Sequence, residues 1–298
     1  MHLLLPIFLT AVGLVICYAT LIERFWFAIR REQLAILPKG SAEITILHIS
    51  DIHMAPWQRR KQNWISKLDQ LKPDLVINTG DNLGHVNAIP ATLSALESLA
   101  NIPGVFVHGS NDMFAPSKRN PFKYLTAPSK AHSSSSSKLD TNTLTAGFNN
   151  FGWKDLNNKS ASLNVNGLNL TFLGTDDAHE GLANLEKIPS AKGPSDLVIG
   201  VTHAPYLYVL KELNEKGAEI IFAGHTHGGQ VCWPITGRAL VTNCDLPTKY
   251  AKGKAQLELT PGKKFWLIVC AGLGNSIYAP IRFFCRPEVR LLTLRAKN

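Results

Sequence analysis

ITILHISDIH, residues 44–53, is the stretch on which the fold turns. A short apolar, β-branched run passes straight into Ser50, Asp51 and His53. Continuous runs of this kind suit strands buried on both faces. Six similar runs follow: LVINT (75–79), VFVH (105–108), LNLTFLGT (168–175), LVIGVT (197–202), IIFAG (220–224) and FWLIVCAG (265–272). RREQLAIL (30–37) precedes them and also reads as a strand, closed by the turn residues Pro38 and Gly40. Between the runs lie amphipathic stretches at residues 62–72, 89–101 and 206–216. The first of these places Trp64, Ile65, Leu68 and Leu71 on one side. This alternation predicts an α/β domain, more purely β toward its C-terminus. Residues 116–149, which include HSSSSSK (132–138), are polar and serine-rich and read as a mobile loop insertion, with an active-site lid as the alternative.

The strand ends carry the chemistry. They deliver Asp51 and His53, then Asp81, then Gly109-Ser110-Asn111-Asp112, then His203, and finally His225 and His227. Ligands of α/β sheets sit at the carboxyl ends of strands. A single histidine there is unremarkable, but five strand ends carrying carboxylate, imidazole or amide groups point to one site. Carboxylate oxygen with neutral imidazole nitrogen suits manganese, iron or zinc, whereas calcium or magnesium prefers more oxygen and no imidazole. Six such ligands exceed the needs of one catalytic zinc. They suit two ions about 3.5–4 Å apart that share a carboxylate and activate a bridging water against a phosphoryl group.

In order and spacing, Asp51-x-His53, Gly80-Asp81, Gly109-Ser110-Asn111-Asp112, His203 and Gly224-His225-x-His227 resemble the calcineurin-like metallophosphoesterases, over about residues 44–230. ISDIH, TGDN and GHTHGGQ behind an apolar N-terminus look more narrowly like the bacterial membrane-associated branch. The resemblance implies a four-layer α/β/β/α sandwich, in which two mixed sheets are flanked by helices, with an N-terminal transmembrane helix ahead of it. It also implies that Asp51, His53 and His227 hold the first metal, that Asp81 bridges, and that His203 and His225 hold the second.

The fourth motif departs from the family pattern. Where the family has Gly-Asn-His followed by an acid, this chain has Gly109-Ser110-Asn111-Asp112, so the usual leaving-group histidine is missing. An amide oxygen is the better ligand than a serine hydroxyl, so a small loop shift is expected to bring Asn111 to the metal. Asp81, Asn111 and Asp112 then form the expected catalytic set, with His108 and His179 as further candidate acids. Arg59-Arg60-Lys61 is a candidate phosphate contact, although a solvated helix start explains it better. Trp57, Trp64 and Trp233 read by default as core residues.

The N-terminus supplies the remaining expectations. Residues 3–22 contain no charge and have about the length needed to cross a bilayer. No basic residue precedes them, whereas Arg24, Arg30 and Arg31 follow, which favours an uncleaved anchor over a signal peptide and places the domain in the cytoplasm. The organisation expected is thus an anchor at 1–23, a linker with the first strand at 24–43, and the phosphoesterase domain at 44–298. Five scattered cysteines lack metal-finger spacing; they read as buried thiols, with one disulfide as the alternative. A net charge of +9 favours anionic partners. Those expected are a phosphorylated small molecule or lipid and, through the helix, a membrane, with no specific nucleic acid. A non-catalytic scaffold of this fold, or a basic nucleic-acid-binding protein, are the rival readings, and the sequence carries no nucleic-acid motif in support of the latter.

Overall fold

The computed structural model describes residues 4–116, 131, 136–191 and 193–297. In chain order the elements begin with α1 (Leu4–Cys17), a π-helical turn (Tyr18–Ile22) and a 3-10 turn (Glu23–Phe25). Then come β1 (Ala28–Leu37), β2 (Ile44–Ile49), α2 (Arg59–Ile65), β3 (Leu75–Asn78), α3 (Ile89–Leu96), β4 (Gly104–Phe106) and α4 (Ser110–Met113). After α5 (Thr141–Asn150) follow β5 (Lys154–Asp155), β6 (Lys159–Val165), β7 (Leu168–Gly174), β8 (Leu197–Val201) and α6 (Leu207–Glu215). The chain closes with β9 (Ile220–Ala223), β10 (Gly253–Thr260), β11 (Lys263–Val269) and β12 (Glu288–Ala296).

These strands build two mixed six-stranded sheets, ordered β1-β12-β2-β3-β4-β5 and β10-β11-β9-β8-β7-β6. Alternation along each strand explains why the sheets stack. Ile44 and Ile46 of β2 face the second sheet and pack with Phe172, Ile199 and Phe222. Leu47 and Ile49 point the other way, beneath Ile65, Leu96 and Phe148 of the helical layer. On the far side Leu173, Ile221 and Val269 meet Val209, Leu210 and Leu213 of α6. Helices therefore cover both outer faces, giving the α/β/β/α sandwich.

All the apolar runs read as strands are strands, but four more escaped notice: β5, β6, β10 and β12. Two of them, β6 and β10, bury only every second position. β1, assigned by sequence to the segment ahead of the domain, pairs in parallel with β12 along the sheet edge. The stretch 116–149 needs correction at its end, because residues 141–150 are helical. Asp140 caps that helix by accepting from the Thr143 N–H, and Leu144 and Phe148, one turn apart, are fully buried. Residues 117–130 and 132–135 of the same stretch lie outside the described residues. The four domain cysteines are buried and free.

The leader forms one continuous helical segment, Leu4–Phe25, of 22 residues with mean hydropathy 2.3, long and apolar enough to cross a membrane. No residue of α1 is buried, whereas Ala19 and Glu23 are. The helix thus projects from the domain and touches it only at its foot.

Phe148 packs on Phe106 and Trp153 at ring-centroid distances of 5.0 and 5.4 Å. Phe148→Ala should therefore cost about 3–5 kcal/mol through a cavity under α5. A thermal melt should show the fall in Tm, and an unchanged Tm would mean that α5 is not part of the core.

Candidate metal centre

Both sheets deliver their site residues from the carboxyl ends of parallel strands. Beyond β2, the Asp51 N–H bonds the Gly80 carbonyl at 2.8 Å and the His53 N–H bonds the Asp81 carbonyl at 3.0 Å. These bonds lock the loops after β2 and β3 together. From the second sheet, the His225 N–H donates to Asp51 Oδ2 at 3.0 Å. The imidazole of His203 reaches across to the Thr79 carbonyl, 2.7 Å from Nδ1.

This convergence strains the backbone. Asp51, His53, Asp81, His225 and His227 all have positive φ, between 43° and 66°. For residues other than glycine that conformation is sparsely populated and costs about 1–3 kcal/mol each, and it persists where surrounding structure imposes it, commonly at functional sites. Gly109 contributes through size instead: a Cβ there would lie 2.3 Å from Asp81 Oδ1 and 2.7 Å from the His203 ring.

The donor atoms form two groups that share Asp81. Single ligand atoms of Asp51, His53, Asp81 and His227 all lie within 4.8 Å of one another. In this group His53 Nε2 is 3.3 Å from His227 Nε2 and 3.5 Å from Asp81 Oδ2, and His227 Nε2 is 3.6 Å from Asp51 Oδ1. In the other, His203 Nε2 is 3.6 Å from the same Asp81 Oδ2 and 3.2 Å from His225 Nδ1.

Protonation explains what this arrangement wants. His203 donates its Nδ1 proton to Thr79, and His227 Nδ1 faces the Gly274 carbonyl at 3.3 Å, so each ring turns its Nε2 inward. Burial pushes His53 and His225 well below the ordinary histidine value and His227 down to about 3, so these rings stay neutral. Burial raises the Asp81 carboxyl, and although His203 opposes this, the charges of Asp51 and Asp112 add to it. The same Asp81 charge lifts His203 against its own burial. The neutral rings of His53, His225 and His227 beside buried carboxylates are lone-pair donors suited to a cation. The residues present therefore fit a divalent metal of the manganese, iron or zinc class.

The fourth motif resolves on geometry. Asn111 lies against the shared carboxylate, its N–H donating to Asp81 Oδ1 at 2.8 Å and its side-chain amide meeting Asp81 Oδ2 at 2.7 Å. Asp112 is turned toward the loop after β3 instead. Its oxygens accept from the N–H groups of Asn82 at 2.7 Å and Gly109 at 3.2 Å and from the Asn82 side chain at 3.1 Å. Burial alone would raise its carboxyl, but His108 and those donors hold it below the ordinary range. His108 is occupied as well, with Nε2 2.8 Å from the Thr145 hydroxyl on α5.

His179 does stand beside the donors. Its ring centre is 4.8 Å from that of His225, and its Nδ1 is 3.0 Å from the Tyr206 hydroxyl. Lys61 is buried and donates to the Ile52 carbonyl at 2.7 Å, so it braces the first loop rather than meeting substrate. Trp57 and Trp233, expected in the core, are exposed, whereas Trp64 packs on Phe27 at 5.2 Å. Sequence reasoning missed the loop after β11, whose Gly274 carbonyl orients His227, and the buried Arg282 that braces this loop through the Ala271 and Gly272 carbonyls. The glycine-rich AGLGN run behind a buried strand was the available signal.

The model of the calcineurin-like phosphoesterases matches residues 44–229. The chain belongs to that family. Among its relatives, a Bacillus subtilis protein, YpbG, is 27% identical over 86% of this chain and 83% of its own. An Aquifex aeolicus protein named as a metallophosphoesterase is 25% identical over 88% of each chain. Phosphodiesterase YaeI of Escherichia coli is 23% identical over 91% of this chain and 90% of its own. Among solved structures, TT1561 of Thermus thermophilus aligns with 78% of this chain and 91% of its own, at 11% identity and a TM-score of 0.41.

Because a Cβ at position 109 collides with the shared carboxylate, Gly109→Ala should lower bound transition metal in the purified protein while leaving its circular dichroism unchanged. Full metal content in that variant would show that the loop after β4 does not shape the centre.

Proposed function

We propose that this chain is a metal-dependent hydrolase of phosphodiester or pyrophosphate bonds, working with two divalent ions. The observation that carries the reading is the sharing of Asp81 Oδ2 between the His53 and His203 groups, at 3.5 and 3.6 Å. Asp51, His53, His227 and Asp81 would hold one ion, and Asp81, His203, His225 and the Asn111 amide the other. Such ions supply Lewis acidity toward phosphoryl oxygens and make a water a nucleophile near neutral pH. The name of the Escherichia coli relative, a phosphodiesterase, supports the choice of a diester.

The protein's own residues set the rest of the chemistry. Asn111 holds the Asp81 carboxylate in place through two hydrogen bonds. Thr79 and Gly274 orient the rings of His203 and His227. His179, beside His225 and bonded to the Tyr206 hydroxyl, would give a proton to a departing oxygen. A complete donor set with strained ligand positions speaks against a non-catalytic scaffold.

The apolar helix supports a membrane location, and substrates presented at a membrane surface, such as phosphorylated or nucleotide-linked lipids, fit it. Arg24, Arg30 and Arg31 beyond the helix favour a cytoplasmic domain.

Two substitutions test the chemistry in the full chain loaded with manganese or zinc. Asp81→Asn should reduce hydrolysis of an activated diester to background with the fold intact, and unchanged turnover would sink the two-ion reading. His179→Ala should spare substrates with nitrophenolate leaving groups and slow those with alkoxide leaving groups by about 10²–10⁴-fold. Equal losses on both classes would remove His179 from the proton-transfer role.

A further inference from the structure

The foot of the apolar helix is built into the domain beside the metal centre. The Ala19 carbonyl accepts from the Arg282 N–H at 3.1 Å. The carboxylate of Glu23 accepts from the N–H groups of Phe284 at 2.8 Å and Cys285 at 2.6 Å. Tyr18 meets Phe283 edge-on at 6.3 Å. Residues 4–22 of a helix rising 1.5 Å per residue span roughly 28 Å, about the thickness of a bilayer's hydrocarbon core. If they cross it, Glu23 and everything bonded to it must lie at the headgroup layer.

The surface at that level is apolar and cationic. Trp26 is 51% exposed and Phe284 45% exposed. Phe283 is also bonded to the loop after His227: its N–H donates to the Gln230 carbonyl, and its own carbonyl accepts from the Cys232 N–H. That loop continues into a tight turn closed by the Trp233 and Arg238 backbones at 2.9 Å. The turn bears Trp233, 59% exposed, and Ile235, 99% exposed. Basic side chains accompany these residues. Arg286 stacks over Trp26 at 4.1 Å and bonds its carbonyl at 2.8 Å, Arg24 stacks over Phe25 at 4.3 Å, and Lys252 reaches the Phe284 carbonyl at 3.4 Å. Indole rings and cationic stems are favoured at membrane interfaces, where one end is apolar and the other wet.

We propose that Trp26, Phe284, Trp233 and Ile235 form a collar around the helix foot that enters the headgroup layer of an anionic bilayer, with Arg24, Arg286 and Lys252 contacting lipid phosphates. The proposal rests on the reading of Leu4–Phe25 as a membrane span. It also gives the metal centre an orientation. Arg282, two residues before Phe284, donates to the carbonyls of Gly274 and His227, and Gly274 in turn orients the His227 ring. The His227 side of the site is therefore one buried side chain away from the membrane plane, where a lipid phosphate would be presented.

The test uses the full chain reconstituted in vesicles of phosphatidylcholine and phosphatidylglycerol with brominated acyl chains, which quench tryptophan at the interface. The difference in emission between wild type and Trp233→Phe isolates Trp233. The expected result is strong quenching of that component, weakened in pure phosphatidylcholine and lost in Ile235→Glu, which remains in the vesicles through its helix. Unquenched Trp233 in protein that resists alkaline extraction overturns the collar and leaves the turn to a protein partner. Equal quenching in both lipids removes the role of the basic side chains. Extraction of the wild type by alkali overturns the span and the collar together. None of these outcomes depends on catalysis, so a failed collar and a failed phosphoesterase reading are separable.

Discussion

Carboxylates and imidazoles crowded together away from water are the constraint on which the structure depends. Asp81 Oδ2 lies between the Nε2 atoms of His53 and His203, and all three groups are shut away from water. A protein interior strengthens their repulsion because little solvent screens it. A proton on His203 relieves part of it, a bound cation would relieve the rest, and the neighbouring structure maintains the arrangement. The five strained ligand positions, the absence of a Cβ at Gly109 and the bonds between the loops after β2 and β3 all keep these acceptors in place. A fold seeking stability alone would have relaxed them.

The two-sheet architecture makes the convergence possible. Neither sheet holds a complete set: Asp51, His53, Asp81 and Asn111 come from one, and His203, His225 and His227 from the other. The apolar layer between the sheets, including Ile46, Ile77, Phe172 and Phe222, fixes their relative position, so packing far from the chemistry sets ligand distances. The helix foot adds a third tie through Ala19 and Arg282 to the loop that orients His227. The foot of the apolar helix and the loops around His227 thus share one buried arginine.

Much of this was legible in the sequence because buried parallel strands leave unbroken apolar runs, and the ligands sit directly at their ends. ITILHIS and IIFAG announce both the strand and the residues that follow it. β6 and β10 were illegible for the opposite reason: with one face in water their patterns alternate and resemble loops. α5 was hidden at the end of a polar stretch, and its two buried residues, Leu144 and Phe148, are one turn apart. In the site, spacing pointed to the donors but not to their surroundings. Whether Asp112 faced the metals or the Asn82 backbone depends on how α4 turns, which no local pattern records. Gly274 was missed because it acts through its carbonyl, which leaves no mark on residue type, and Arg282 because its partners are backbone carbonyls.

The central claim is that one carboxylate, Asp81, is shared by two metal ions held by nitrogen and oxygen. X-ray absorption of the full chain loaded with zinc or manganese tests it most directly. The arrangement predicts a first shell of nitrogen and oxygen alone and a metal–metal scattering feature at about 3.5–4 Å. A spectrum with no metal–metal feature at saturating metal, or with sulfur in the first shell, would contradict it.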